Sequence, residues 1–93
     1  MIKSYACKET AALAGRSRSK RIPSTIHAVS LRKLRMLAAA TCLDDLRVPP
    51  ANRLEALTKD RAGQHSIRIN DQWRLCFVWK DGHAYDVEIV DYH

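Results

Sequence analysis

The chain has 93 residues, the length of one domain, so we expect residues 1–93 to form a single domain. No apolar run approaches the roughly 20 residues that a membrane-spanning helix needs. "MIKSYACKET" lacks the apolar stretch of a signal peptide, so we expect a cytoplasmic protein with no membrane partner. The three cysteines lie far apart with no CxxC pair, which argues against a zinc site and a disulfide framework; we predict neither a metal nor a cofactor.

The net formal charge of +6 is concentrated in the first half of the chain. Residues 1–50 contain ten Lys or Arg against three Asp or Glu, whereas residues 51–93 contain six against seven. A basic half favours a polyanion such as RNA or DNA, or an acidic protein, as the partner. The simpler alternative is that the excess charge serves solubility alone.

The first half is predicted to contain a short strand, a short helix, a basic loop and a long helix, in that order. "MIKSYA" alternates like a strand, and "KETAALAG" consists of good helix formers closed by Gly15. Four positive charges between Arg16 and Arg21, with no apolar period, indicate a loop. The long helix is expected to begin at Ser24 or Thr25 and to run to about Ala40.

This long helix is predicted to bury one apolar stripe, because its apolar residues recur at helical spacing. The stripe consists of Ile26, Val29, Leu34, Leu37 and Ala38, and the other faces carry Arg32, Lys33 and Arg35.

From Asn52 onward the apolar period changes to two, which is typical of strands. "RLEAL", "HSIRIN", "WRLCFVW" and "HAYDVEIV" read as strands separated by turns. Alternation places Arg68 and Arg74 on the sheet face opposite Ile67 and Leu75. The predicted fold is therefore α+β, in β-α-α order followed by an antiparallel sheet of three or four strands. Both helices pack on one sheet face and the other face stays open.

The turn of the last hairpin decides which residues lie opposite each other. A two-residue Asp81-Gly82 loop would place Asp86 and Glu88 among apolar side chains, which is costly. A three-residue loop over residues 80–82 avoids this, so we predict it, with Arg74 opposite Glu88. The expected pairs are Phe77 with Tyr85, Leu75 with Val87 and Trp73 with Ile89.

The expected open face combines groups that are able to cleave RNA. The guanidinium groups of Arg68 and Arg74 suit phosphate oxygens and can stabilise a pentavalent phosphorane. Scission also needs a base for the 2′-hydroxyl and an acid for the leaving 5′-oxygen. His93 could be either the base or the acid, since histidine titrates near neutrality. Tyr92 could donate a hydrogen bond or stack on a nucleobase, and Asp91 could orient His93.

Each of these residues also has a simpler explanation. Tyr92 could only pack, His93 could belong to a solvated tail, and Asp91 could be a surface charge. Arg74 could be no more than the cross-strand partner of Glu88.

The second half of the chain resembles a known toxin family. "NRLEALTKDRAGQHSIRINDQWRLCFVWKDGHAYDVEIVDYH" is similar to the C-terminal half of HigB-type toxins, in the RelE/ParE superfamily of toxin–antitoxin systems, and "MIKSY" and "LRKLRMLAAATCLDDLRVPP" fit the same pattern. The resemblance implies a metal-independent endoribonuclease that enters the ribosome, cleaves mRNA and arrests translation. Its implied partner is a HigA-type helix-turn-helix antitoxin, through which alone it reaches operator DNA.

The resemblance also implies the catalytic residues: Arg74, which follows a tryptophan, and the terminal Asp91, Tyr92 and His93. One departure lies in the turn region, where some members carry a catalytic histidine and this chain has Glu55.

Glu55 could act as a base, although it lacks the cationic form that helps to hold phosphate. The alternatives are that His65 or Lys59 takes over, or that inhibition relies more on binding. The candidate RNA-binding residues are Glu55, Lys59, Arg61, His65 and Arg68.

Two further classes of function remain open because fold alone does not determine function. One is a non-catalytic inhibitor of another target, such as DNA gyrase, as in the ParE branch. The other is a module whose basic half chiefly holds an acidic antitoxin, either across the open face or on the helices.

Overall fold

The computed structural model describes residues 1–17 and 20–91. Arg18 and Ser19 of the predicted basic loop, and the predicted catalytic residues Tyr92 and His93, lie outside the described residues. Helices α1 (Lys8–Ala14) and α2 (His27–Ala39) precede an antiparallel sheet with strand order β1-β2-β3-β4. The strands are β1 (Glu55–Ala56), β2 (Gln64–Arg68), β3 (Trp73–Lys80) and β4 (His83–Asp91), and short 3-10 turns span Ser24–Ile26, Leu43–Arg47, Pro50–Asn52 and Lys59–Arg61. The predicted α+β fold is confirmed.

The first residues run beside β4 but form less of a strand than predicted. Ile2 and Tyr5 make isolated parallel bridges with Ala84 and Val87. Between these bridges the backbone N–H of Asp86 donates to the Ser4 hydroxyl at 2.9 Å instead of to a main-chain carbonyl. The ladder is interrupted at that point, so residues 2–5 do not form a continuous fifth strand.

Helix α1 is attached to the edge of β4 by a buried threonine. The Cys7 side chain caps its N-terminus, and the N–H of Gly15 closes its last turn on the carbonyl of Ala11, as the sequence predicts. The Thr10 hydroxyl is fully buried and accepts a 3.0 Å hydrogen bond from the backbone N–H of Ile89. The helix therefore supplies the partner that this part of β4 would otherwise lack.

Helix α2 confirms the predicted long helix, with two exceptions in its buried stripe: Ala38, predicted to be buried, is exposed, and a lysine is buried. Ile26, Leu34 and Leu37 are buried as expected. Lys33, predicted on an outer face, is only 7% exposed because it lies on the same stripe as Leu34 and Leu37. Its ammonium group donates a hydrogen bond to the buried side-chain oxygen of Asn52, which makes this burial tolerable.

The core lies between the helices and one face of the sheet. Its sheet side consists of Ile67, Leu75, Phe77, Ala84, Val87 and Ile89, all at most 7% exposed. Each large apolar side chain contributes roughly 1.5–3 kcal/mol when it is buried in this way. This packing orients the sheet and leaves its other face for polar residues.

The predicted hairpin register is wrong. Asp81 and Gly82 form a two-residue turn with φ of 53° and 81°, the left-handed values of a type I′ turn, and Lys80 lies opposite His83. One extra residue in β4, Asp86 with φ of 52°, then shifts the register by one.

The bulge removes the cost for which the two-residue loop was rejected, the burial of carboxylates among apolar side chains. Asp86 is exposed, and beyond it Leu75 pairs with Ile89 and Arg74 with Val90 rather than with Glu88. Tyr85, predicted opposite Phe77, pairs instead with Val78 on the open face.

Candidate functional site

The open face carries a pocket lined by three arginines. Arg68 and Arg74 lie directly opposite each other on β2 and β3, so their side chains share this face, as predicted. We call this cavity of about 260 Å³ the arginine pocket; it is lined by Arg53, Glu55, Arg68, Asn70, Asp71 and Arg74.

Arg74 is the most firmly held of the three arginines, at 8% exposure. Its Nε donates to the Ser66 hydroxyl at 2.7 Å, and Nη2 donates to the Arg53 carbonyl at 2.6 Å. The Glu55 carboxylate lies 3.7 Å from Nη2. An arginine is seldom buried without partners of this kind, so Arg74 is positioned before any ligand arrives.

Arg53 contributes both a backbone carbonyl and a side chain to the pocket. It has the left-handed conformation, φ 45° and ψ 59°, which costs a non-glycine residue about 1–3 kcal/mol. The preceding turn, Pro50–Asn52, is anchored by Asn52, whose amide donates to the carbonyls of Leu46 at 3.1 Å and Val48 at 3.4 Å. The anchored turn directs the Arg53 carbonyl at Arg74.

Sequence reasoning missed Arg53, which it placed in the strand "RLEAL", and no local signal marks an arginine as left-handed. The only hint is the pair of prolines just before it, which forces a turn.

Positive charge also lies near the pocket on the helix side. Burial lowers the pKa of Lys33, and the charges of Arg32 and Arg68 lower it further. Arg68 itself makes an ion pair with the exposed Asp71 at the pocket rim. The electrostatic environment therefore favours an anion that can share these charges.

Arg61 occupies the same face of the sheet but has a different partner. Both of its terminal nitrogens lie 3.4 Å from the Glu88 carboxylate, and Nη1 also donates to the Gln64 side chain at 3.0 Å. The cross-strand partner that was expected for Arg74 thus pairs with Arg61. Cys76, on the same face between β2 and β4, is fully buried, and burial raises the pKa of its thiol, which fits a small core filler.

The structure does not bring the remaining predicted residues into the pocket. His65 lies opposite Phe77 on the helix-covered face, where their rings stack at 6.3 Å, so it does not lie near the cleft. Lys59 is exposed in the turn before β2. Asp91 ends β4 opposite Trp73, so its side chain lies on the helix-covered face and not on the face of Arg74; it accepts a 3.1 Å hydrogen bond from Gln72.

Within residues 1–17 and 20–91, no group of three or more His, Cys, Asp or Glu side chains is arranged to hold a metal ion. Among the helices of the same residues, none is long and apolar enough to cross a membrane.

The architecture is similar to that of two solved YafQ structures. YafQ from E. coli, solved as a single-residue mutant, superposes with a TM-score of 0.64 at 12% identity, over 98% of this chain and 93% of that chain. A second YafQ structure, from E. coli strain BL21(DE3), gives a TM-score of 0.58 at 13% identity with the same coverage. At these identities the likeness shows the fold alone.

Comparisons of sequence show the family to which the chain belongs. A family model described as "RelE-like toxin of type II toxin-antitoxin system HigB" matches residues 14–93. Toxin HigB-1 of Vibrio cholerae is 49% identical over 67 residues, 72% of this chain and 70% of that protein. An uncharacterized protein of Haemophilus influenzae is 43% identical over 61 residues, 66% of this chain and 60% of that protein. The chain belongs to the HigB-like family and is a toxin of a type II toxin–antitoxin system.

Proposed function

We propose that the protein is a metal-independent endoribonuclease that cleaves mRNA on the ribosome in the cytoplasm and thereby arrests translation. The observation that carries this proposal is Arg74, a nearly buried guanidinium fixed at the wall of an open pocket that also contains two further arginines and two carboxylates. A surface arginine that serves only solubility has no need of this fixation.

The arginine pocket suits the scissile phosphate. Arg74 and Arg68 contact its non-bridging oxygens, and Arg53, on the exposed rim, holds the adjacent backbone. Extra negative charge develops on these oxygens as the phosphorane forms, so fixed cations stabilise the transition state more than the ground state.

The proton transfers are assigned to Glu55 and His93. Glu55, within 3.7 Å of Arg74, takes the proton of the 2′-hydroxyl, and the 2′-oxygen then attacks phosphorus. The bond to the 5′-oxygen breaks, and His93 protonates that oxygen, leaving a 2′,3′-cyclic phosphate and a 5′-hydroxyl. The role of His93, with Tyr92 and Asp91 beside it in sequence, rests on the family resemblance.

Membership of a type II system implies an antitoxin partner. We propose that it is a HigA-type protein with a helix-turn-helix and that the toxin reaches operator DNA only through it. The other partners are the ribosome and its mRNA. Exposed Lys59 and half-buried Arg61 lie where further RNA backbone passes the open face.

The test compares wild type with Glu55→Gln and Arg47→Lys in a purified translation system, with cleavage mapped within reading frames. Arg47 is exposed and paired with Asp44, away from the pocket, so its variant is the control. We expect wild type and Arg47→Lys to cut and Glu55→Gln to cut much more slowly. Intact mRNA with the wild type would refute the proposal, and inhibition of gyrase supercoiling under the same conditions would favour the non-catalytic alternative.

A further inference from the structure

Ser66 is a fully buried polar residue on the open face of the sheet. It lies in β2 between Glu55 on β1 and Cys76 on β3. A buried hydroxyl is costly without a hydrogen-bond partner, so the group that it bonds indicates why a polar residue occupies this buried position. Here the partner is the Nε of Arg74, at 2.7 Å, and the Ser66 carbonyl also accepts from Nη2 at 3.4 Å.

These bonds fix one edge of the Arg74 guanidinium. Nε is bound to Ser66, and Nη2 is bound to Arg53 and Ser66. Among the described residues, the two N–H groups of Nη1 have no hydrogen-bond partner. A planar guanidinium held along one edge has no rotational freedom, so the orientation of its remaining donors is set by the protein.

We propose that Ser66 is a positioning residue, whose hydroxyl holds the Arg74 guanidinium so that the N–H groups of Nη1 remain available for a phosphate oxygen. This inference rests on the proposed function, because the phosphate is that of the scissile RNA linkage. Ser66 itself does not touch the RNA. A misplacement of about 1 Å in such a group can cost roughly 100-fold in rate.

The chain contains a matched control for the loss of a buried hydroxyl. Ser30 on α2 is also fully buried, yet within the described part of the chain its hydroxyl makes no hydrogen bond. Ser30→Ala and Ser66→Ala therefore remove the same atom from equally buried sites, and only the second removes a bond to Arg74. Ser66→Thr retains the hydroxyl and serves as the rescue variant.

The experiment measures single-turnover cleavage of mRNA on programmed ribosomes, together with the toxin concentration for half-maximal rate and the melting temperature. We expect Ser66→Ala to lower the maximal rate by about 10–100-fold with little change in the half-saturating concentration, since the charge of Arg74 remains. Ser30→Ala should match wild type, and Ser66→Thr should recover most of the rate. A variant that merely unfolds would instead lose melting temperature in parallel with rate.

A second measurement does not depend on cleavage. In ¹⁵N NMR spectra, the Nε–H resonance of Arg74 should be protected from solvent exchange in wild type and Ser66→Thr, and exposed to it in Ser66→Ala. If wild type cleaves and Ser66→Ala cleaves equally well, the positioning role is wrong although the proposed function stands. If wild type does not cleave, the proposed function fails, and the NMR measurement then tests the positioning role by itself. Loss of Nε–H protection in Ser66→Ala would support that role, and unchanged protection would overturn it.

Discussion

On the helix-covered face of the sheet, Leu75 and Phe77 are held by apolar contacts, whereas on the open face Arg74, their neighbour on the same strand, is held by hydrogen bonds to Ser66 and Arg53. All three side chains are at most 8% exposed. Apolar packing is non-directional and scales with the area removed from water. Hydrogen bonding is directional, so it fixes the orientation of a charged group that must act on a ligand.

Burial therefore has two origins in this protein. The covered face supplies stability, and its substitutions should change the free energy of unfolding. The open face supplies orientation, and its substitutions should change activity before stability.

The largest effect is expected from removing the aromatic ring at the centre of the covered face. Phe77→Ala should lower the free energy of unfolding by about 3–5 kcal/mol, through lost burial and a residual cavity. Urea denaturation provides the measurement, with Val78→Ala, half-buried on the open face, as the control. Equal losses for the two variants would mean that the open face is as important for stability as the covered one.

The next largest effect is expected on the cleavage rate when Arg74 is replaced. Arg74→Lys keeps the charge but loses the planar fork, so the cleavage rate should fall by about 10²–10³-fold, as for the loss of a fixed donor to the transition state. Single-turnover kinetics on ribosome-bound mRNA measure it, against Arg47→Lys at an exposed position. A rate within a few-fold of wild type would show that charge alone suffices and that orientation is unimportant.

Two carboxylates of the arginine pocket should differ in their importance. Glu55→Gln should slow cleavage by about 100-fold or more while leaving RNA affinity unchanged or higher, because a base is lost and a negative charge is removed. Asp71→Asn, at the rim with a side chain 98% exposed, should change the rate only slightly. If Asp71→Asn proved as damaging as Glu55→Gln, the base would have been assigned to the wrong residue.

The smallest effect is a pH dependence of stability that originates on the helix side. Burial lowers the pKa of Lys33 from its ordinary 10.5, so in the alkaline range below 10.5 the unfolded chain binds more protons than the native one. Stability should therefore rise with pH in that window for wild type relative to Lys33→Met, as denaturation midpoints would show.

Repeating the Lys33 series in high salt separates the two causes of the lowered pKa, because salt screens the contributions of Arg32 and Arg68 but not burial. A difference between wild type and Lys33→Met that stays flat with pH would contradict the burial of a charged lysine.

Local signals in the sequence predicted several features of the covered face correctly. Gly15 ends α1, and strict alternation separates Leu75 and Phe77 from Arg74. These predictions succeed because helix ends and side-chain alternation depend on residues within a few positions of each other.

The open face was predicted less completely. The Asp81-Gly82 pair signals a type I′ turn, but the prediction rejected it to avoid burying carboxylates, and nothing local announces the bulge at Asp86. Arg53 and Ser66 were missed because their role is to bind Arg74, 21 and 8 residues away in sequence. On the helix side, the burial of Lys33 was missed although its spacing from Leu37 on α2 indicated it.

The sequence by itself determined the family, the order of the helices and the later strands, and the placement of Arg68 and Arg74 on one face, because each follows from composition, motif or short-range periodicity. Only the tertiary structure decided the register of β4, the burial of Lys33 and the bonds that orient Arg74. Those depend on which distant backbone groups meet once the sheet and helices pack, and a long-range contact leaves no pattern in the residues around either partner.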